Sequence, residues 1–273
     1  MLRALMLLAC VSGPAFAQAP TLRFQWPKDQ ALDYRVNQTT KVSETVLDAK
    51  GKATASDVKT TLTLMKRWSI REVDAAGTAT MDLSITQMKQ VVERPNGSTS
   101  TIDSANPEDA RQMAEFLNKP VLTLKVDARG QIVDVKETRP GAASRIQSEL
   151  PFRLVLPESI MGQPWSRPFA ITLDPPHGTG ERYEATQTFT MKGTKDALAV
   201  IGLETSLKAP PATAAEKIPL APMLWSGDVY FDTTAGRFHA ARLAAKAEIT
   251  NHQGDGSKFV YESVYAEDLV NGK

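Results

Sequence analysis

The amino-acid sequence predicts an all-β protein with minor helix. Long twisted antiparallel strands form a half-barrel or a duplicated meander, with one helix covering the sheet. Three observations predict this. Long stretches alternate apolar and polar side chains with a period of two, the signature of a sheet with one buried face. A D-A-x-G word recurs at residues 48–51, 74–77 and 127–130, with a looser D-T-T-A-G at 232–236. In each, the aspartate suits a turn cap and the glycine supplies the positive φ of a type I turn followed by a glycine bulge. The third observation is that only one stretch carries a clear helical period.

The chain is organised around the hairpin at 121–137, where Leu122, Leu124 and Val126 share one face and Val133 and Val135 alternate with Asp134 and Lys136. Ahead of it, residues 21–26 are a short extended segment. Strands follow at 33–47, 53–73 and 78–93 as a meander, the third strand ended by Pro95-Asn96-Gly97. In the second of these, Leu62, Leu64, Trp68 and Ile70 share one parity, which Lys66 interrupts. The helix spans 107–118. Asn106 is its N-cap, Pro107 its first residue and Asp109 an acidic first-turn residue, followed by a stripe of Ala110, Met113, Ala114 and Leu117. A second short helix is expected at 141–150. Residues 150–165, punctuated by proline, cross between a first half (18–150) and a second (151–273), the two forming one continuous structural unit. Strands resume at 167–173, 181–192 and 196–206. An Ala/Pro-rich loop without its own core occupies 209–222, and strands at 228–232, 237–250 and 258–269 close the chain. Tyr34-x-x-x-Gln38-Thr39 recurs as Tyr183-x-x-x-Gln187-Thr188, which suggests an internal duplication.

Residues 1–17 read as an export signal: Arg3, an apolar stretch from Ala4 to Val11, and Ala15-Phe16-Ala17 before Gln18, with cleavage between Ala17 and Gln18. The competing reading is a lipobox at Leu7-Leu8-Ala9-Cys10 that would lipidate Cys10. Cleavage after Ala17 places the protein in the periplasm or outside the cell. It also removes the single cysteine, so thiol catalysis, disulfides and cysteine-ligated metals drop out. No later stretch is long and apolar enough for a transmembrane helix. Arg3 is the only charge lost, leaving 31 basic and 31 acidic residues. That balance argues against nucleic acid, whose phosphates need a basic excess.

The Tyr-bearing Thr-rich strand at Tyr34, the D-A-x-G turns, the alternation of Met81 and Leu83, the V-D-A-R-G-Q-I-V-D-V hairpin and the M-G-Q-P-W step at 161–165 together resemble a family of secreted bacterial all-β proteins, a domain of unknown function. The resemblance spans nearly the whole mature chain and implies export and a β body; none of its motifs is catalytic. In architecture the chain also resembles, remotely, the half-barrel of periplasmic lipoprotein carriers.

Candidate chemistry is sparse. His177, His239 and His252 lie far apart, outside any metal-ligand spacing, and His177 and His252 fall in turns where a histidine is usually solvated. No nucleophile elbow or phosphate loop occurs. Asp82 with Glu93, or Glu204 with Asp228, are the carboxylate pairs that acid–base chemistry would need. Trp68, Trp165 and Trp225 are candidates for lining a concave apolar surface, or ordinary core residues. The sequence calls for no cofactor and no metal. It favours an exported, non-enzymatic protein that holds a hydrophobic small molecule or an envelope component in a concave sheet. A structural or protein-interaction module of the envelope, and a hydrolase with a dispersed site, are the alternatives.

Overall fold

The computed structural model describes residues 22–137, 150–158, 163–173, 175 and 178–270. The N-terminal signal with Cys10 and the Ala17–Gln18 junction, all but the last residue of the second helix expected at 141–150, and His177 lie outside these residues. Among them the chain forms one 12-stranded antiparallel sheet. The strands are β1 (Ala31–Leu47), β2 (Ala53–Val73), β3 (Ala79–Glu93), β4 (Thr99–Asp103), β5 (Pro120–Val126), β6 (Ile132–Glu137), β7 (Trp165–Leu173), β8 (Glu181–Lys195), β9 (Leu198–Leu207), β10 (Ser226–Asp232), β11 (Arg237–Thr250) and β12 (Lys258–Leu269). Their order is β6-β5-β3-β2-β1-β12-β11-β10-β9-β8-β7, with β4 on β3 beside β5. The protein is all-β with minor helix. The sheet's middle is not the 121–137 hairpin, which becomes β5 and β6 at one edge. It is the β1–β12 pair, which joins the two chain ends from Tyr34↔Leu269 to Thr45↔Lys258. Tyr34 therefore sits at the centre while its sequence echo Tyr183 lies on β8, next to the opposite edge.

The D-A-x-G turns form as their chemistry dictates. Asp48, Asp74 and Asp127 each accept two backbone N–H bonds on one carboxylate oxygen. The glycines that follow have φ of 76°, 82° and 84°. Arg94 to Gly97 is a turn of the same kind, Gly97 N–H donating to Arg94 C=O; it ends β3 at Glu93 as expected and leads into the additional strand β4. The short α1 (Pro107–Gln112), capped by the Asn106 side chain, connects β4 to β5 along the free edge of β3. It stops earlier than its apolar stripe suggests. Leu117 bridges Ile85, and Asn118 donates to Ile85 C=O with a φ of 60°. Rejoining β3 takes precedence over continuing the helix.

The sheet curls. Phe24 N–H donates to Ala128 C=O and the adjacent Gln25 N–H to Gly236 C=O. These acceptors sit on the β5–β6 and β10–β11 turns, and β5 and β11 are five strand spacings apart, about 24 Å in a flat sheet. Neighbouring residues reach both only because the sheet wraps into an open half-barrel. Both turns need glycine for close approach. A Cβ at Gly130 would fall 2.8 Å from Leu154 O, and one at Gly236 would fall 3.0 Å from Arg23 O.

The inside of this curl is filled at one end. Residues 150–156, expected to be a mere crossing between halves, are all buried, as are Leu22, Phe24 and Trp26. Phe152 sits among the rings of Phe24, Trp26, Tyr34, Trp68 and Phe238, and Phe24 stacks on Trp26 at 4.6 Å. A buried loop must find partners for its peptide groups. Leu156 N–H donates to Arg129 C=O, and Val155 C=O accepts the indole N–H of Trp165 at 2.6 Å. This plug is the centre of the hydrophobic core. The 209–222 stretch is also not a coreless loop. It holds α2 (Ala214–Lys217), closed by a Thr213–Glu216 capping box, and a 3-10 turn at Ala221–Met223. Leu220 and Ala221 are buried against the sheet, so burial of a few aliphatic side chains decides the segment's fate over its Ala/Pro composition.

A trough on the inner face

Beyond the plug, the inner face of the long strands continues toward the opposite end of the half-barrel. The period of two puts Gln38, Thr40 and Val42 of β1, Val58, Thr60, Leu62 and Leu64 of β2, and Met88 and Val92 of β3 on this face. All are half-buried. Ala214 and Ile218 of the α2 segment pack against the core, and buried Trp225 follows them. The result is a trough with an aliphatic floor, closed at one end by the plug.

A polar row crosses the sheet at the boundary between plug and trough. The strand registers align Thr60 with Thr40, Thr40 with Ser263 and Ser263 with Ala245. On the other side, Thr205 aligns with Gln187 and Gln187 with Arg167, while Thr205 N–H donates to Trp225 C=O. Gln38, Thr40 and Ser263 satisfy one another, with Gln38 Nε2 donating to Ser263 Oγ at 3.1 Å and 2.9 Å between the two hydroxyls. On the far side Arg167 donates from Nε and Nη2 to Gln187 Oε1 at 3.1 and 2.8 Å. Burial pushes its pKa down to about 10, so it remains cationic at neutral pH. Arg153, at the lower rim of the plug, lies over Tyr265 at 4.7 Å and Trp225 at 5.9 Å, a cation–π arrangement. It is buried, as are Gln187, Thr205, Ser263, Trp225 and Tyr265.

A buried charge pair stands behind this row. Glu267 is fully buried, paired with Lys66 and accepting the Tyr265 hydroxyl proton. Lys66, the interruption in the β2 pattern, is explained by this partner across β1. Tyr34 donates to Phe238 C=O at 3.1 Å. Its pKa is raised well above the ordinary tyrosine value, first by burial and then by the charge of Glu267, while Arg237 acts in the opposite sense. Tyr34 therefore keeps its proton in the folded protein at pH values where the unfolded chain ionises. The stability this confers is fully present below about pH 10 and falls as pH rises beyond it, by about 1.4 kcal/mol per pH unit. Tyr34→Phe is expected to flatten that slope above about pH 10, read as urea midpoints. Equal slopes for the two proteins would remove Tyr34 as the cause.

The sequence-predicted residues separate. Trp68 is buried in the plug cluster with no exposed surface, Trp165 stacks on Phe189 at 5.7 Å, and Trp225 lines the boundary row. Trp68 and Trp165 thus serve the packed end, and Trp225 alone lies in the row at the trough. His252 is not solvated: its side chain is 1% exposed, its Nε2 lies 2.8 Å from Glu44 Oε1, and its ring meets Phe259 edge-on. Burial of the 251–257 turn against β1 overrides the usual exposure of a turn histidine. His239 is half-buried on β11, far along the chain from either of the others. Asp82 and Glu93 lie at opposite ends of β3. Asp82 is buried, accepts the Thr123 hydroxyl hydrogen bond and pairs with the exposed Arg71, and Glu93 pairs with Lys59. Asp228 pairs with Lys192 at 2.5 Å rather than with Glu204. Among the described residues no group of three or more His, Cys, Asp or Glu side chains is placed to hold a metal ion, and no helix is long and apolar enough to cross a membrane. On the outer face an open groove of about 520 Å³ lies between β1–β3 and the α1 connection, lined by Arg35, Met65, Gln87, Lys89 and Asp103 among others. Its walls are mixed and charged.

Three-dimensional comparison gives a fold likeness. The sheet resembles part of lipovitellin. The solved structure, described as "Lipid-protein interactions in lipovitellin", aligns over 90% of this chain with a TM-score of 0.51 and 12% identity. The match covers 26% of that chain, so this chain spans about a quarter of its length. DynF from the dynemicin biosynthesis pathway of Micromonospora chersina aligns over 98% of this chain and 94% of its own, at a TM-score of 0.22 and 7% identity, too low for a shared fold. No family model and no curated protein sequence matches the chain.

Sequence reasoning missed Arg153, Arg167, Thr205, Ser263 and Glu267. One signal was present for some of them, namely polar residues at positions whose parity is otherwise apolar: Gln38 and Thr40 on β1, Ser263 and Glu267 on β12. Arg153, in a segment without periodicity, gave none.

Proposed function

We propose that this protein is an exported, non-enzymatic carrier that holds an elongated apolar ligand, such as an acyl chain, in the trough of its half-barrel. The observation that supports this reading is the half-buried aliphatic floor of Val42, Val58, Leu62, Leu64 and Val92, which extends the inner face beyond the plug, beside the buried Ile249, Phe259 and Tyr261. An apolar concavity beside a few fixed polar groups is what ligand sites present. The likeness to part of lipovitellin is compatible with this use of a curled sheet. Export follows from the pattern of residues 1–17, with Gln18 as the first mature residue.

Native mass spectrometry of detergent-free protein from a bacterial periplasm tests the reading. A mass adduct that leaves on organic extraction is expected, together with uptake of added hexadecyl lipids by the stripped protein. Leu62→Asp, on the trough floor, should abolish uptake, whereas Val264→Asp on the outer face should preserve it. A clean apo mass with no uptake sinks the proposal. The same spectrum reads the N-terminus.

A second reading rests on the two open edges of the sheet. Among the described residues no strand pairs with the outer side of β6 or β7, and Val133 on β6 is 62% exposed. Such edges accept a strand from a partner, which would make the protein an envelope interaction module. Capture of an envelope protein that Val133→Lys abolishes would favour it.

A further inference from the structure

We propose a second binding site, on the outer face of the sheet, that takes the end of a short extended peptide with a free C-terminal carboxylate. The site is the open groove of about 520 Å³ between β1–β3 and the α1 connection, a volume within the roughly 300–1,000 Å³ of small-ligand clefts. It lies on the opposite side of the sheet from the trough, and it stands independently of the carrier reading. The groove is built into the fold. Its wall, the connection from β4 to β5, is tied to β3 at both ends. Ser104 N–H donates to Met88 C=O at 2.8 Å while its hydroxyl accepts Met88 N–H at 3.0 Å, and Asn118 N–H donates to Ile85 C=O at 2.8 Å. A wall fixed before any ligand arrives lowers the cost of binding.

The floor carries three rows of outward side chains, aligned by register across the strands. Two of the rows satisfy themselves. In one, Arg67 donates to both carboxylate oxygens of Asp33, at 2.7 and 2.9 Å. In the other, Thr63 donates to Asn37 Oδ1 at 3.1 Å and Lys89 pairs with Asp103 at 3.0 Å. Between them runs Arg35–Met65–Gln87, whose polar ends are unanswered. Arg35 and Gln87 are exposed, and among the described residues neither side chain has a hydrogen-bond or ion-pair partner. Asp268, directly across from Arg35 on β12, is engaged by Arg242. Met65 is half-buried, as is Leu117 on the wall. The row thus presents a cation, an apolar middle and a carboxamide over two strand spacings, about 10 Å. A guanidinium matches a carboxylate with paired N–H donors. A thioether packs against an apolar side chain, and a carboxamide offers both a donor and an acceptor to a peptide group. Carboxylate, side chain and peptide group follow in that order at the C-terminal end of a peptide. Three extended backbone units of about 3.3–3.6 Å cover the same length.

The probes are N-acetyl-alanyl-leucine, the same peptide with its carboxylate amidated, and octanoate, which keeps an acid and an apolar body without a peptide group. Each is titrated into the full mature protein, isotope-labelled at the methionine methyl groups and followed by NMR, with the Met65 signal assigned through Met65→Leu. The acid peptide is expected to move that signal and to bind about ten-fold or more tightly than the amidated form, the effect of removing a charged hydrogen-bond partner. It should also bind more tightly than octanoate. Arg35→Gln should remove the distinction between acid and amide, and Arg35→Lys should keep part of it. Gln87→Leu should weaken both peptides about three-fold and leave octanoate unchanged. Arg35 and Gln87 are exposed, so these variants should fold, which circular dichroism checks. Equal binding of acid and amide overturns the carboxylate assignment, and octanoate matching the acid peptide overturns the peptide assignment. A Met65 signal that no probe moves at millimolar concentration overturns the site. Arg35→Gln should leave uptake of hexadecyl lipids unchanged, so this site and the trough stand or fall separately.

Discussion

Phe152→Ala is expected to lower stability by about 3–5 kcal/mol, the range for deleting a fully enclosed phenyl ring. Against a typical domain stability of about 5–15 kcal/mol, that is a large fraction. The reason is position. Phe152 lies in no strand, is 1% exposed and touches rings from the N-terminal segment, from β1, from β2 and from β11. Removing it opens a cavity where side chains from several parts of the curl meet. The walls are held apart by the sheet's own hydrogen bonds, so they cannot collapse onto the gap. Urea unfolding should show a lower midpoint with an unchanged slope, and near-ultraviolet dichroism should show loosened packing of Trp26 and Trp68. A change below about 1 kcal/mol would mean that backbone bonds, not side-chain packing, seat the plug.

The second large effect is expected at Glu267. Glu267→Gln keeps the shape and an acceptor for Tyr265 but removes the negative charge. Lys66, 16% exposed, is then a cation without its counter-ion, and a cost of about 3 kcal/mol is expected. Lys66→Met should be similarly harmful, because it strands a carboxylate with no exposed surface. Adding Lys66→Met to Glu267→Gln should recover most of the loss, since a neutral pair no longer needs mutual compensation. Additive losses in the double variant would show that the two charges do not depend on each other. The pair lies at the centre of the sheet, with β1 between its members, so it also fixes β2 and β12 against that strand.

How much of this was legible before the structure depends on the range of the physics involved. The turns were fully legible: an aspartate that caps its own loop and a glycine with φ near 80° are local requirements, written in four residues. Strand extents followed from period two, and β2, β11 and β12 run over the residues expected for them. Helix α1 was legible at its start, where Asn106 and Pro107 act locally, but not at its end, where a bridge to Ile85 stops it. The plug was invisible. A run such as Leu150-Pro151-Phe152-Arg153-Leu154 has no periodicity, and its burial depends on turns that lie near residues 128 and 236 in the chain. The candidate site was half visible, as polar residues with apolar parity on β1 and β12, yet nothing local said that Arg153, Thr205, Gln187 and Arg167 would join that row.

The sequence by itself determined the β class, the turn positions and the face that each strand buries, because these arise from interactions within a few residues. The tertiary structure alone decided which strands pair at the centre, that the sheet curls around a loop, and where polar groups gather at the end of the trough. Those outcomes depend on register across strands and on long-range burial, which no local pattern encodes.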